Sequence, residues 1–379
     1  MEFLGYRRSD GRYGVRNYVL VLSSVSCASG VVDAIGRALP DVVTINYSTG
    51  CGLDRIGIRT LTGLINNPNV GAVLVIGLGC EGTGSQRLLE SAQTKPAEAL
   101  VIQRDGGSTA TTAKGIEIAS RFLKELKDQP RVPAPVSELV VGLECGGSDA
   151  LSGVTANPAV GVAADRFVEL GATVILSETT EMIGTAHILK RRGATPELGE
   201  QVEKLVNDQQ KRVRAALGDL AGLVIAPGNI EGGLSSIAEK SLGCITKGGT
   251  TPINEVVEYA QRPSKRGLII MDTPGYDIDS MAGLTAGGSQ LILFTTGRGS
   301  IAGFPAVPVV KISSNSITYK NMPGDMDVNA GAIIDEDRTL DEVGQDIFDL
   351  SLSVANGRQT CAEVNRSVPF GYLKQVPTF

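Results

Sequence analysis

Cysteines set among glycines are the residues of this sequence best suited to chemistry. Cys51 stands in Ser48-Thr49-Gly50-Cys51-Gly52, and Cys80 in Ile76-Gly77-Leu78-Gly79-Cys80-Glu81-Gly82. Cys145 stands in Gly142-Leu143-Glu144-Cys145-Gly146-Gly147-Ser148-Asp149. Each follows a predicted strand or extended segment, and Cys27 follows the first of these strands. In an open parallel sheet, loops at the carboxyl ends of strands converge on the crevice where ligands bind. Thiolates gathered there suit a soft metal, so Cys51, Cys80 and Cys145 are candidate ligands of ferrous iron or an iron–sulfur cluster. No local Cys-x-x-Cys spacing supports that assignment, and the alternative is that they are small buried hydrophobes. Cys244 and Cys361 lie in apolar or helix-like surroundings and are expected to be structural.

Such a metal would serve one reaction class well. The proton α to a carboxylate is weakly acidic, so eliminating water from a hydroxy acid passes through a dianion that needs electrostatic stabilisation. A Lewis-acid ion can also hold the departing hydroxyl. The second half supplies candidate partners for an anion. Lys247-Gly248-Gly249-Thr250 precedes a predicted helix beginning near Asn254, and its backbone N–H groups could meet a carboxylate. Lys247 itself could pair with the anion or, desolvated, act as a base. Gly297 and Arg298 lie in a loop after a strand and suit carboxylate clamping. His187, the one histidine, follows an apolar run and two acids, Glu178 and Glu181, and is a candidate general acid or base. No Walker pattern and no dinucleotide fingerprint is present.

The elements that must position these groups are short apolar runs ending in glycine or a small polar residue. They fall at residues 18–22, 70–76, 139–143, 173–176, 223–226, 268–271, 291–295 and 307–312. Their length and Val/Ile/Leu content suit buried parallel strands. Helix-period stretches at 31–39, 116–126, 159–170 and 198–217 alternate with them, which predicts an α/β fold with mainly parallel sheets flanked by helices. Residues 129–135 carry three prolines and read as an extended linker. A boundary there divides the chain into a first α/β domain, 1–130, holding the Cys27, Cys51 and Cys80 loops, and a C-terminal catalytic α/β domain, 131–379.

Composition narrows the partners. The chain has 379 residues, 42% of them hydrophobic and 20% charged, a globular balance. Its 47 glycines exceed the ~27 of average usage and point to tight loops. A net charge of −6 without a dense basic run argues against nucleic-acid binding, and the absence of Trp argues against stacking platforms. No run approaches the ~18 apolar residues that span a bilayer. The N-terminus lacks a signal-peptide layout, and six cysteines in so long a chain make no disulfide framework. The expectation is a cytoplasmic protein with reduced thiols.

At these loops the chain resembles the altronate/galactarate dehydratase family, over essentially its whole length. The resemblance is carried by Tyr6-Arg7-Arg8-Ser9-Asp10-Gly11-Arg12 with Asn17-Tyr18, by Gly50-Cys51-Gly52, and by Gly77-Leu78-Gly79-Cys80. Further on come Cys145-Gly146-Gly147-Ser148-Asp149-Ala150-Leu151-Ser152-Gly153 and Ala156-Asn157-Pro158-Ala159-Val160-Gly161. Pro227-Gly228-Asn229, Lys247-Gly248-Gly249-Thr250 and Leu293-Phe294-Thr295-Thr296-Gly297-Arg298-Gly299 complete the set. It implies an iron-stimulated dehydratase of sugar acids yielding a 2-keto-3-deoxy acid. It strengthens the assignment of Cys51, Cys80 and Cys145 to metal and brings Ser148, Asp149 and Asn157 into the pocket. Glu181, Lys247 and His187 are then the expected catalytic groups. Arg16, Asn17, Gly248, Gly249, Thr250, Gly297 and Arg298 join the expected substrate contacts. Two departures bear on substrate. The family's dehydratases carry a small N-terminal domain that this chain starts without, which implies a separate small subunit, as in the related sulfolactate sulfo-lyases. Ala186 stands beside His187 where relatives often have an acid, which leaves the substrate open. Two other readings remain: a lyase releasing sulfite from 3-sulfolactate, and a non-catalytic anion-binding or assembly subunit.

Overall fold

The computed structural model describes residues 1–47, 51, 54–81, 84–92, 94–218 and 224–374. Near the start of the chain lie β1 (Glu2–Arg7), β2 (Tyr13–Gly14), β3 (Tyr18–Ser23), β4 (Val43–Ile45), β5 (Val70–Gly77) and β6 (Ala97–Val101). After them come β7 (Val132–Pro135), β8 (Val140–Cys145), β9 (Thr173–Leu176), β10 (Ile253–Val257) and β11 (Gly267–Met271). The last strands are β12 (Leu291–Thr296), β13 (Val309–Ser313) and β14 (Val328–Asn329). They form a four-stranded sheet ordered β4-β3-β5-β6, a seven-stranded sheet ordered β10-β11-β9-β8-β12-β13-β14, and a small sheet β2-β1-β7. All ladders of the two larger sheets are parallel. This is the expected α/β fold.

Burial explains why these runs are strands. Every residue of β5, β9, β11, β12 and β13 is buried, as expected when helices cover both faces of a parallel sheet. The helices predicted from periodicity are present, from Ser29–Ala38, Gly107–Lys127, Ala156–Glu169 and Pro196–Leu217. The last has Pro at its start and Thr195 as cap, its hydroxyl accepting from the Leu198 N–H at 3.3 Å.

Three local expectations fail. Residues 224–226 form no strand, and residue 223 lies outside the described residues. The stretch near Asn254 is β10 rather than a helix, because pairing with β11 outweighs its local pattern. The proline-rich linker is extended, but part of it is β7, an edge strand paired antiparallel with β1.

The two parallel sheets are joined through packed helices. The helix Arg55–Ile65 meets the helix Asp277–Ala286, where a Cβ on Gly63 would lie 2.4 Å from the Ala286 carbonyl oxygen. Only glycine permits that approach. Asn67 Nδ2 donates to the carbonyls of Thr285 and Ser289, and Asn69 Nδ2 to those of Gln290 and Ala306.

From β8 the chain proceeds to β9, β10 and β11 on one side of the large sheet, then crosses to β12, β13 and β14 on the other. The reversal falls between β8 and β12. Their carboxyl ends therefore frame the crevice where this architecture binds ligands.

Candidate active site

Cys145 ends β8 at that crevice, and its buried Sγ donates to Glu181 Oε2 at 2.7 Å. Cys244 Sγ lies 3.4 Å from Cys145 Sγ and 2.9 Å from the same Glu181 oxygen. Glu181 comes from the short helix Thr179–Met182 after β9, and Cys244 from the end of the helix Ile237–Cys244. Lys240, one turn before Cys244, pairs with Glu181. Lys247 pairs with Glu178 at 2.9 Å, both groups 1% exposed. Glu178 also accepts the Cys145 N–H at 2.9 Å and has φ +66, an unusual value for a residue with a side chain.

The electrostatics sort these groups into charge states. Burial alone would raise Glu181, but Lys240, Lys247 and the two thiols hold its carboxyl below the ordinary range, so it is ionised. Burial pushes the Cys145 thiol well up, and Cys244, Glu178 and Glu181 push the same way. Cys145 therefore keeps its proton until a cation displaces it. Burial opposes the charge of Lys247, yet Cys145, Glu178, Cys244 and Glu181 outweigh it and hold the ammonium well above its usual value. That makes Lys247 a standing positive charge and removes it as a neutral base.

Beneath the thiols lies a second group, Glu144, Glu178 and Asp277. Burial, then the charge of Glu178, raises Glu144 well above the carboxylate range. Glu144 Oε2 accepts from Ser280 Oγ at 2.7 Å and Ser177 Oγ at 3.2 Å, while Oε1 of both Glu144 and Glu178 lacks another partner. One proton held by Glu144 and directed at Glu178 satisfies both atoms.

The two sets of three are the groupings of potential ligands close enough to share one ion among the described residues. Two thiols and a carboxylate make a donor set suited to iron or zinc. Because burial holds the Cys145 thiol protonated, metal binding would release a proton.

Close packing holds the turn after β8. A Cβ on Gly146 would sit 2.0 Å from Asp277 Oδ2 and 2.8 Å from Phe294 Cζ. Gly146→Ala should lower stability by about 1–3 kcal/mol through overpacking and reduce turnover, measured by denaturant melts alongside an activity assay. Unchanged stability would mean that Asp277 can withdraw freely.

Asp149 fixes the neighbouring loops. Its Oδ1 accepts from Ser152 N–H, Ser152 Oγ and Ser314 Oγ, and its Oδ2 from Asn315 Nδ2. Asn157 Oδ1 accepts from Thr295 Oγ1 at 2.7 Å. A cavity of about 250 Å³ opens here, lined in part by Ser148, Asp149, Asn157, Lys240 and Cys244.

The expected residues thus separate. Cys145, Glu181, Lys247, Ser148, Asp149 and Asn157 lie in or around this cluster. Cys51 and Cys80 are exposed and form no three-thiol group with Cys145; Gly50, Gly52 and Gly82 lie outside the described residues. His187 is exposed on the helix Ala186–Lys190 and is not grouped with the buried thiols. Arg16 is committed to Glu363 at 2.7 Å and to the carbonyls of Val354 and Arg358. Asn17 bonds Arg8, the Leu126 carbonyl and Gln129. The N–H and hydroxyl of Thr250 both bond the Asp165 carboxylate, so that loop already holds an anion of its own. The Gly248 carbonyl and the Gly249 N–H are likewise engaged, with Arg192 and the Thr246 carbonyl. Gly297 and Arg298 both donate a backbone N–H to the Gly147 carbonyl, and the Arg298 guanidinium pairs at the surface with Glu231. They brace the crevice.

Sequence reasoning missed Cys244, Lys240, Glu144 and Asp277. A signal existed: Lys240, Cys244 and Lys247 are spaced i, i+4, i+7, which places them on one face of a helical segment.

A doubly flanked parallel sheet with a buried thiol–carboxylate cluster at its switch point is an α/β enzyme architecture. Residues 136–378 match the family described as D-galactarate/Altronate dehydratase, C-terminal, and residues 5–127 match D-galactarate dehydratase/Altronate hydrolase, second domain. The chain belongs to the galactarate/altronate dehydratase family and is a lyase. It is 38% identical to galactarate dehydratase (L-threo-forming) of Escherichia coli, over 94% of this chain and 73% of that protein. It is 33% identical to altronate dehydratase of Bacillus subtilis, over 96% and 76%. It is 34% identical to (2R)-sulfolactate sulfo-lyase subunit beta of Chromohalobacter salexigens, over 95% and 94%. Among the described residues, no helix is long and apolar enough to cross a membrane.

Proposed function

We propose that the chain is the catalytic subunit of a sugar-acid dehydratase, removing water from a galactarate- or altronate-type acid to give a 2-keto-3-deoxy acid. The buried Cys145–Cys244–Glu181 set at the β8/β12 switch point, flanked by two charged lysines, carries this reading. Cys145, Cys244 and Glu181 would hold ferrous iron, which when bound would supply a Lewis acid for the substrate's carboxylate or departing hydroxyl. Lys240 borders the cavity and favours an anionic ligand. Lys247, fixed as an ammonium, stabilises negative charge that develops as the C2 proton leaves. Ser148 and Asn157 offer polar groups to the hydroxyls.

Two features of organisation belong to the same proposal. The chain divides near residue 130, a reading supported by the separate matches to 5–127 and 136–378. A small partner subunit is supported by the relative whose name makes it a subunit beta. That relative is matched over 94% of its length, which keeps carbon–sulfur cleavage as the second reading.

Anaerobically purified protein, reconstituted with ferrous iron, should form a 2-keto-3-deoxy acid from galactarate or altronate and lose that activity on chelation. Sulfite release from 3-sulfolactate, with no turnover of either sugar acid, would replace the first reading with the second.

A further inference from the structure

A basic cleft lies at the amino ends of the large-sheet strands, on the side of the molecule away from the thiols. Two adjoining cavities, of about 140 and 380 Å³, form it and share Arg12, Arg262 and Gly288 as walls. The smaller reaches Leu139 and Val140 at the start of β8 and Thr173 at the start of β9. Cys145 is at the far end of β8, roughly 17 Å away at ~3.3 Å per strand residue. An occupant of this cleft is therefore a second ligand, separate from the substrate.

The charge of the cleft is one-sided. Arg12 and Arg59 come from the matched stretch 5–127, and Arg262, Lys265 and Arg266 from 136–378. Among the described residues lining either cavity, Glu138 is the one acid. The chain as a whole carries −6, so the cationic surplus is local, and a cleft walled by one sign of charge concentrates its field. Three of the cations are committed: Arg12 to Asp10 at 2.6 Å, Arg59 to Glu258 at 2.7 Å and Arg266 to Glu138 at 2.6 Å. Arg262 and Lys265 are different. Among the described residues, neither side chain makes an ion pair or a hydrogen bond, and both are exposed, free to turn toward a ligand. Partial burial and then the charge of Arg12 act against the Arg262 guanidinium, and Asp10 and Glu138 offset them incompletely. Like charges on the wall of one cavity repel, and an anion between them converts the same charges into attraction.

We propose that this cleft is a second ligand site, for a small phosphate-bearing metabolite whose phosphoryl oxygens are shared between Arg12 and Arg262, with Lys265 as the outer charge. A phosphoryl group carries up to two charges and offers acceptors on several sides, so it meets guanidiniums arriving from different walls. A single carboxylate is planar and satisfies one fork at a time. Because the walls come from both matched stretches, occupancy ties them together, and binding is read as added stability. The site does not rest on the dehydratase reading.

The test uses the full chain, glycerol 3-phosphate as probe, and thermal melts in buffers of equal ionic strength. Wild type should gain about 3–5 °C at saturating probe. Arg262→Gln should weaken binding by about tenfold or more and remove most of that gain. Lys265→Gln, at the rim, should weaken it by roughly threefold. Arg338→Gln, whose arginine lines neither cavity, should gain as wild type does. Without probe, Arg262→Gln should melt no lower than wild type, because repulsion is relieved and no partner is lost. A fall of several degrees there would make Arg262 structural and overturn the proposal. An equal gain in wild type and Arg262→Gln would mean adventitious binding elsewhere and overturn the site, as would no gain at millimolar probe. A larger gain from succinate than from glycerol 3-phosphate would overturn the phosphoryl assignment. None of these melts contains a sugar acid, so failure of the dehydratase reading stays separate.

Discussion

Cys244→Ser is expected to strip the protein of bound iron and lower kcat/KM by on the order of 100-fold or more, with the fold intact. Serine is nearly isosteric, and its hydroxyl can still donate to Glu181, so the buried carboxylate keeps a partner. It cannot supply a soft, readily ionised donor, which is the contribution of thiolate to iron binding. Cys51→Ser and Cys80→Ser are the controls, because both thiols are exposed and belong to no cluster among the described residues. Metal content per chain after anaerobic reconstitution, circular dichroism and turnover should be read together. Full iron retention by Cys244→Ser, with loss instead in Cys51→Ser or Cys80→Ser, would return the metal to the loops first suspected from the sequence.

That contrast shows what sequence patterns can and cannot carry. Short buried strands announce themselves because a parallel sheet covered on both faces needs unbroken apolar runs, and β5, β8, β9, β11, β12 and β13 were legible on that ground. β10 was not. Its Asn254 and Glu255 are polar, and its strand state depends on β11, a partner more than ten residues away. The site was half legible for a related reason. Cys145 stood out because glycines surround it, whereas Cys244 is followed by Ile245 and looked like core. Its place in the cluster depends on the turn after β9 delivering Glu181 to the same point, a long-range convergence with no local mark. Glu144 and Lys311 were visible as charges inside apolar runs. A buried charge in a strand demands a partner, and that rule could have flagged both residues. Arg16 shows the opposite case: an arginine expected to contact the substrate instead ties the start of the chain to Glu363.

The ion pair beneath the site should be worth more to stability than any surface pair in the protein, and Lys247→Met exposes that. The methionine fills similar volume but leaves Glu178 fully buried, with only the Glu144 proton and the Cys145 N–H, and no cation, to hold its charge. Removing one partner of a buried pair typically costs about 3–5 kcal/mol. In a protein this size that corresponds to a fall in Tm of roughly 10 °C. Lys247 is raised in the folded state, so its contribution is fully present below the ordinary lysine range and fades only at strongly alkaline pH. The deficit of Lys247→Met should accordingly be undiminished at pH 7. Lowering the pH toward 4 should shrink it, because Glu178, already raised by burial and by Glu181, takes up a proton and no longer needs the cation. Glu178→Gln combined with Lys247→Met should recover part of the loss at pH 7, since the pair is then replaced by neutral groups. Turnover should remain low in the double variant even where stability returns, if the standing positive charge is what stabilises the developing anion as proposed. Recovery of both stability and turnover would show that the lysine serves only to neutralise Glu178.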